Sequence, residues 1–136
     1  MRRLLLAATI WAAGLGLAQA QSDPAADPAD VIGAQMEAFL AGDVETAFGY
    51  AAPGIKRMFV TPRNFGIMVR RGYPMVWRPA EVRYGARSER GGAVLQTVYI
   101  TDEAGTLHAL EYTMVPDGAT WKIAGVRFLE APEVGV

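Results

Sequence analysis

The side chains able to do chemistry are few and scattered. His108 is the only histidine, and there is no cysteine among the 136 residues. A cysteine nucleophile, a thiolate-bound zinc or iron–sulfur site and a disulfide framework are therefore excluded. No nucleophile motif, phosphate-cradling glycine loop or paired-carboxylate signature occurs. A lone histidine holds a metal only with carboxylates nearby, and none falls on its predicted sheet face, so neither metal nor cofactor is expected. No residue is assigned a catalytic role. What remains are polar groups on an apolar face: Gln96 and Tyr112, with Tyr84 and His108 on the same face, as candidates to line a pocket. Gln96 and Tyr112 either bind a ligand by hydrogen bonds or bond each other or a buried water. Arg78, beside Trp77, with Arg70 and Arg71, forms a second candidate set, for an anion.

The elements that position these groups follow from pattern. Asp30 is a candidate cap for a helix from Val31 to about Ala41, and Asp43 for a second from Val44 to Ala51. Ile55 to Phe59 reads as a short turn of helix. Thr61-Pro62 opens a third helix that stops at Gly72. The period then changes from 3.6 to 2. Strands are expected over 81–88, 93–101, 106–115 and 120–129, with Met75-Val76-Trp77 as an extra edge strand. The loop Glu103-Ala104-Gly105 pairs Ile100 with His108, Val98 with Leu110, Gln96 with Tyr112 and Val94 with Met114. A loop at Gly91 pairs Ala86 with Gln96, and a four-residue loop from Pro116 to Ala119 pairs Met114 with Trp121. All three loops put the same side chains on one face, and a bulge is expected at Gly125. The fold class is α+β: three N-terminal helices packed on a curved antiparallel meander of four to five strands.

Met1-Arg2-Arg3, the apolar run Leu4 to Leu17 and Ala18-Gln19-Ala20 have the order of a secretory signal peptide. The chain is thus expected to be exported by the general secretory route, cleaved at Ala20, and periplasmic or secreted. Residues 21–30 read as a flexible Asp/Pro/Ala leader, 31–130 as one domain and 131–136 as a tail. After Ala20 the net charge is −3, and it is segregated: −6 to Ala52, +7 from Pro53 to Arg90, −4 thereafter. The basic segment offers an anion-binding surface at the envelope, or is the solvated face of helices and strands. Nucleic acid is not expected as a partner of an acidic exported domain.

The order of several short motifs carries a resemblance. Gln35 through Phe39, Asp43 with Ala47-Phe48, Pro53 with Ile55 and Phe59, and Phe65 with Met68-Val69 come first. Tyr73 with Val76, Arg78-Pro79, Val82, Gln96 with Val98, and Asp102 with Gly105 follow. Tyr112, then Asp117-Gly118 before Trp121-Lys122-Ile123, complete the series. Over about Val31 to Phe128 the chain resembles the domain of unknown function 4864 family, within the nuclear-transport-factor-2-like superfamily. The resemblance implies a cone-shaped α+β fold with an internal pocket, and dimerisation through an open sheet face. It implies no chemistry, since that family has none assigned, and its wider superfamily includes isomerases, dehydratases and plain binding modules, so the fold does not choose between them. The sequence therefore favours a non-catalytic exported module for a small apolar ligand or a protein partner. One alternative is an isomerase- or hydrolase-type enzyme using Tyr112 with Gln96 or His108. Another is envelope attachment through residues 53–90, the signal peptide being otherwise the only membrane contact.

Overall fold

A computed structural model describes residues 27–130. The expected signal peptide, most of the expected leader and the C-terminal tail lie outside the described residues. Among these residues five helices precede four strands: α1 (Pro28–Leu40), α2 (Val44–Gly49), α3 (Pro53–Phe59), α4 (Pro62–Gly72), α5 (Pro74–Trp77), β1 (Pro79–Arg90), β2 (Ala93–Asp102), β3 (Leu107–Asp117) and β4 (Thr120–Leu129). The strands form one antiparallel open sheet in the order β1-β2-β3-β4. The α+β class stands, but with five helices rather than three.

Proline explains the difference. Four of these helices begin with it, where its missing N–H is an orphan in any case and its fixed φ suits the first turn. Pro28 therefore starts α1 before Val31, and the cap is Asp27, whose Oδ1 accepts from the Ala29 N–H at 2.8 Å, rather than Asp30. Pro53 opens α3 instead of only breaking α2. Pro74 turns Met75-Val76-Trp77 into α5, so the expected edge strand is absent and the sheet has four strands. The caps at Asp43 and Thr61 stand as expected, accepting from the Thr46 and Asn64 N–H groups at 3.1 Å each.

Between α3 and α4 the chain turns on Val60, with φ 71° and ψ −47°. The Thr61 N–H donates to the Phe59 carbonyl at 2.8 Å, closing a three-residue turn of the rare positive-φ kind. A β-branched residue is strained there, and Val60 is 72% exposed, so packing returns little. Val60→Gly is expected to raise the unfolding free energy by about 1 kcal/mol, as strain relief exceeds the entropy cost of glycine. Urea denaturation checks this; a loss of stability would mean that the valine side chain contributes more than its strain costs.

In the sheet, the β2–β3 register is the expected one throughout, Gln96 opposite Tyr112 included. The other two hairpins differ locally. In β1 the pairs Tyr84–Val98 and Arg87–Gln96 enclose a bulge, so Arg87, not Ala86, faces Gln96. In β4 the turn is tighter than a four-residue loop: Asp117 pairs with Thr120, Gly118 at φ 61° sits in the turn, and Trp121 faces Pro116. The shift is by two residues, which keeps the same side chains inward. The bulge expected at Gly125 lies between Ile123 and Gly125, opposite Met114 and Thr113.

The inner face of β2–β4 meets the helices in one core that includes Ile32, Met36, Phe39, Phe65, Val98, Ile100, Leu110 and Met114. Gly66 lets α4 close on α2, for a Cβ there would stand 2.7 Å from Val44 Cγ1. The chain between α2 and α3 joins β4 directly: the Ile123 N–H donates to Tyr50 O at 2.9 Å, and the Ala52 N–H to Ile123 O at 2.8 Å. These bonds cover part of the β4 edge and hang α3 over the β4 bulge. No helix among the described residues is long and apolar enough to cross a membrane.

Candidate functional site

Where α3 and α4 arch over that bulge, a cavity of about 240 Å³ remains. Its wall is apolar, from Phe39 on α1, Phe59 on α3, Phe65 and Met68 on α4, and Ile123 and Val126 on β4. Among the described residues no Asp, Glu, Lys, Arg or His side chain lines it. Its polar members are Gln35, Tyr73 and Tyr112.

These three differ in how they are satisfied. Tyr73 donates its hydroxyl to Val126 O at 3.4 Å. Gln35 is 4% exposed and donates Nε2 to Ala47 O at 3.1 Å, which leaves its Oε1 without a partner among the described residues. Tyr112 is fully buried, and its hydroxyl is the buried side-chain polar atom that lacks a partner among the described residues. Burial, with the Tyr84 and Tyr73 phenols nearby, pushes the Tyr112 phenol far above its usual range. It therefore stays protonated and can donate but cannot act as a base. Buried hydroxyls are nearly always paired, and an orphan costs about 1–3 kcal/mol. Tyr112 and Gln35, both on the wall of one apolar space, suit a ligand with an uncharged oxygen function.

Gln96 belongs elsewhere. It is 1% exposed and its amide closes the β1 bulge: Nε2 donates to Gly85 O at 3.1 Å and Thr97 O at 2.9 Å, with Ala86 O at 3.4 Å. Its Oε1 accepts from Arg87 Nε at 2.7 Å. The Arg87 guanidinium also grips Asp27 with both terminal nitrogens, at 2.6 and 3.2 Å. The chain Asp27–Arg87–Gln96 thus ties the cap of α1 to the sheet. The Arg87 bond, and then the Ala29 N–H, hold the Asp27 carboxyl below the usual carboxylate range. Tyr84 lines neither hollow; it is 43% exposed and lies against α1, its hydroxyl 3.1 Å from where a Cβ on Gly33 would sit.

His108 and two of the candidate arginines meet at a second place. Arg70, Arg78, His108, Asp102 and Trp77 line an open groove of about 490 Å³ at the β2–β3 turn. His108 Nε2 lies 2.8 Å from Asp102 Oδ2, while Asp102 Oδ1 accepts from the Ala104 and Thr106 N–H groups at 2.9 Å each. The His108 bond first, and the Thr106 N–H next, lower the Asp102 pKa. That carboxylate primarily holds the turn. Arg78 makes a long contact to Leu40 O at 3.4 Å. Arg71 does not line this groove. Among the described residues no cluster of three His, Asp or Glu side chains has the spacing of a metal site.

The structure therefore divides the pocket candidates: Tyr112 lines the cavity, Gln96 supports the sheet, Tyr84 packs on α1 and His108 lies in the groove. Gln35 lies outside the sequence-based candidates, although a polar residue in the apolar stripe Val31–Met36–Phe39 is a signal for it. Asp27 and Arg87 had no local signal, being 60 residues apart.

A family model described as a domain of unknown function (DUF4864) matches residues 21–136. No curated protein gave a significant match to the chain. Nor did any solved structure.

Proposed function

The chain belongs to the DUF4864 family, and from that premise we propose that it is an exported, non-catalytic binding module whose cavity holds one small, uncharged, largely apolar ligand. The observation that carries this reading is the partnerless buried hydroxyl of Tyr112 beside an apolar cavity of about 240 Å³. An apolar cavity of roughly 150 Å³ already admits a benzene ring, so this one suits a substituted ring or a short acyl segment. A charged ligand would lie unpaired among apolar walls, at prohibitive desolvation cost. Export is supported by the order of charge, apolar run and Ala18-Gln19-Ala20, and by a family match that starts at Gln21. We place the fold in the nuclear-transport-factor-2-like superfamily, on the support of helices before a meander sheet with a cavity between them. The distribution of Tyr112, Gln96 and His108 over three places argues against an enzyme that uses them together.

Ligand binding to the native state raises stability, so thermal-shift screening with uncharged phenols, medium-chain alcohols and ketones tests the reading. Tyr112→Phe is expected to raise the stability of the free protein by about 1–2 kcal/mol, since it removes an unpaired buried hydroxyl. The same variant should lose ligand-induced shift for oxygen-bearing ligands and keep it for the matching hydrocarbons. A destabilised variant with unchanged shifts would mean that the hydroxyl is not the recognition group.

A further inference from the structure

Beside the cavity lies a surface that ligand recognition does not require. From Pro53 to Gly72, the span of α3 and α4, there are five bases (Lys56, Arg57, Arg63, Arg70, Arg71) and no acid. None of the five forms an ion pair among the described residues. On α4, Arg63, Ile67, Arg70 and Arg71 recur at helical spacing on the exposed side, opposite buried Phe65, Gly66 and Val69. At the corner between the helices, Met58 and Val60 are each 72% exposed, and Ile67 is 39% exposed. Val60 is held outward by the strained turn described above, and strain is retained where a function needs the geometry. Met58 also lines the cavity, so the cavity wall reaches the surface at this corner.

Bases without counter-ions around protruding apolar side chains are the composition of a helix that lies on a membrane surface. We propose that the α3–α4 corner is a peripheral docking surface for an anionic lipid bilayer: Met58, Val60 and Ile67 enter the headgroup boundary, and the corner bases Lys56, Arg57 and Arg63 meet lipid phosphates. Charge complementarity selects this occupant. The segments before Pro53 and after Arg90 are acidic, whereas α3 and α4 carry bases and no acid, so these two helices present an uncompensated positive surface. Each base near an anionic leaflet favours binding by about 1 kcal/mol, and the attraction falls off within a Debye length.

Vesicle flotation at low salt tests the proposal, with the chain from Gln21 onward, which carries the whole family match and every described element. Phosphatidylglycerol-containing vesicles should float the protein, and pure phosphatidylcholine vesicles should not. Raised salt should weaken the binding. The triple variant Lys56→Glu, Arg57→Glu, Arg63→Glu should lose about 100-fold or more in partitioning, while Arg90→Glu, off the corner, should bind as the parent does. Val60→Gly keeps every charge and relieves strain, and should bind about five- to tenfold more weakly through loss of an apolar anchor. Equal binding to neutral vesicles, or undiminished binding by the triple variant, overturns the proposal. Capture by polyglutamate without capture by vesicles also overturns it, in favour of an acidic protein surface. Failure of the cavity ligand screen leaves this result unaffected.

Discussion

Phe39→Ala is expected to lower the unfolding free energy by about 3–5 kcal/mol, the upper range for core truncations. Phe39 is fully buried in the last turn of α1. Its ring lies 5.9 Å from that of Phe65 on α4 and 5.3 Å from that of Trp77 on α5, so it couples three helices through one aromatic cluster. It also lines the cavity. The void left by truncation therefore opens into existing empty space instead of being closed by neighbours, which is the circumstance that makes such losses large. Urea denaturation measures the loss, and an unchanged m-value shows that the fold persists. The enlarged cavity should then accept ligands one ring or several methylenes bigger than the parent does. A loss below about 1 kcal/mol would mean that this part of the wall is not closely packed.

Gln96→Leu is expected to cost about 2–4 kcal/mol, although it puts an apolar side chain at a buried position. The amide of Gln96 satisfies carbonyls that the β1 bulge withdraws from the ladder, and its oxygen holds Arg87 Nε. Leucine would strand these groups, each orphan costing about 1–3 kcal/mol in proportion to its burial. Because the network also reaches Asp27, the variant should loosen the start of α1, seen as faster amide exchange there. The acid limb gives a second readout. Asp27 has a lowered pKa in the folded protein, so its contribution is present above the unfolded value of 3.8 and is lost as pH falls through the lower folded value. Asp27 is nearly half exposed, so this part is small and salt-sensitive. Arg87→Ala should flatten that part of the acid limb. An unchanged stability in Gln96→Leu would mean that water reaches the bulge carbonyls.

The β2–β3 register was legible because a three-residue loop ending in Gly105 dictates it locally, and that register put Gln96 and Tyr112 on the inner face. The caps at Asp43 and Thr61 were legible for the same reason: a side chain and an amide three residues away decide them. The β1 bulge was not legible, since it is stabilised by a glutamine on the neighbouring strand. The division of roles between Gln96 and Tyr112 was therefore hidden as well. Both are polar residues on an apolar face, and only the bulge determines which of them finds partners.

By itself the sequence determined the α+β class, the central hairpin, the inward face, the segregation of charge and the chemistry excluded by the missing cysteines. These rest on composition, period and short turns, which act over a few residues. The tertiary structure alone decided where the cavity lies and what lines it. It forms where α3, tied by the Tyr50–Ala52 segment to Ile123, crosses a bulge in β4 more than 60 residues away. It likewise decided that Tyr112 is left unpaired while Gln96 is fully used. Cavity volume and hydrogen-bond satisfaction are properties of how distant elements meet, and no local pattern encodes them.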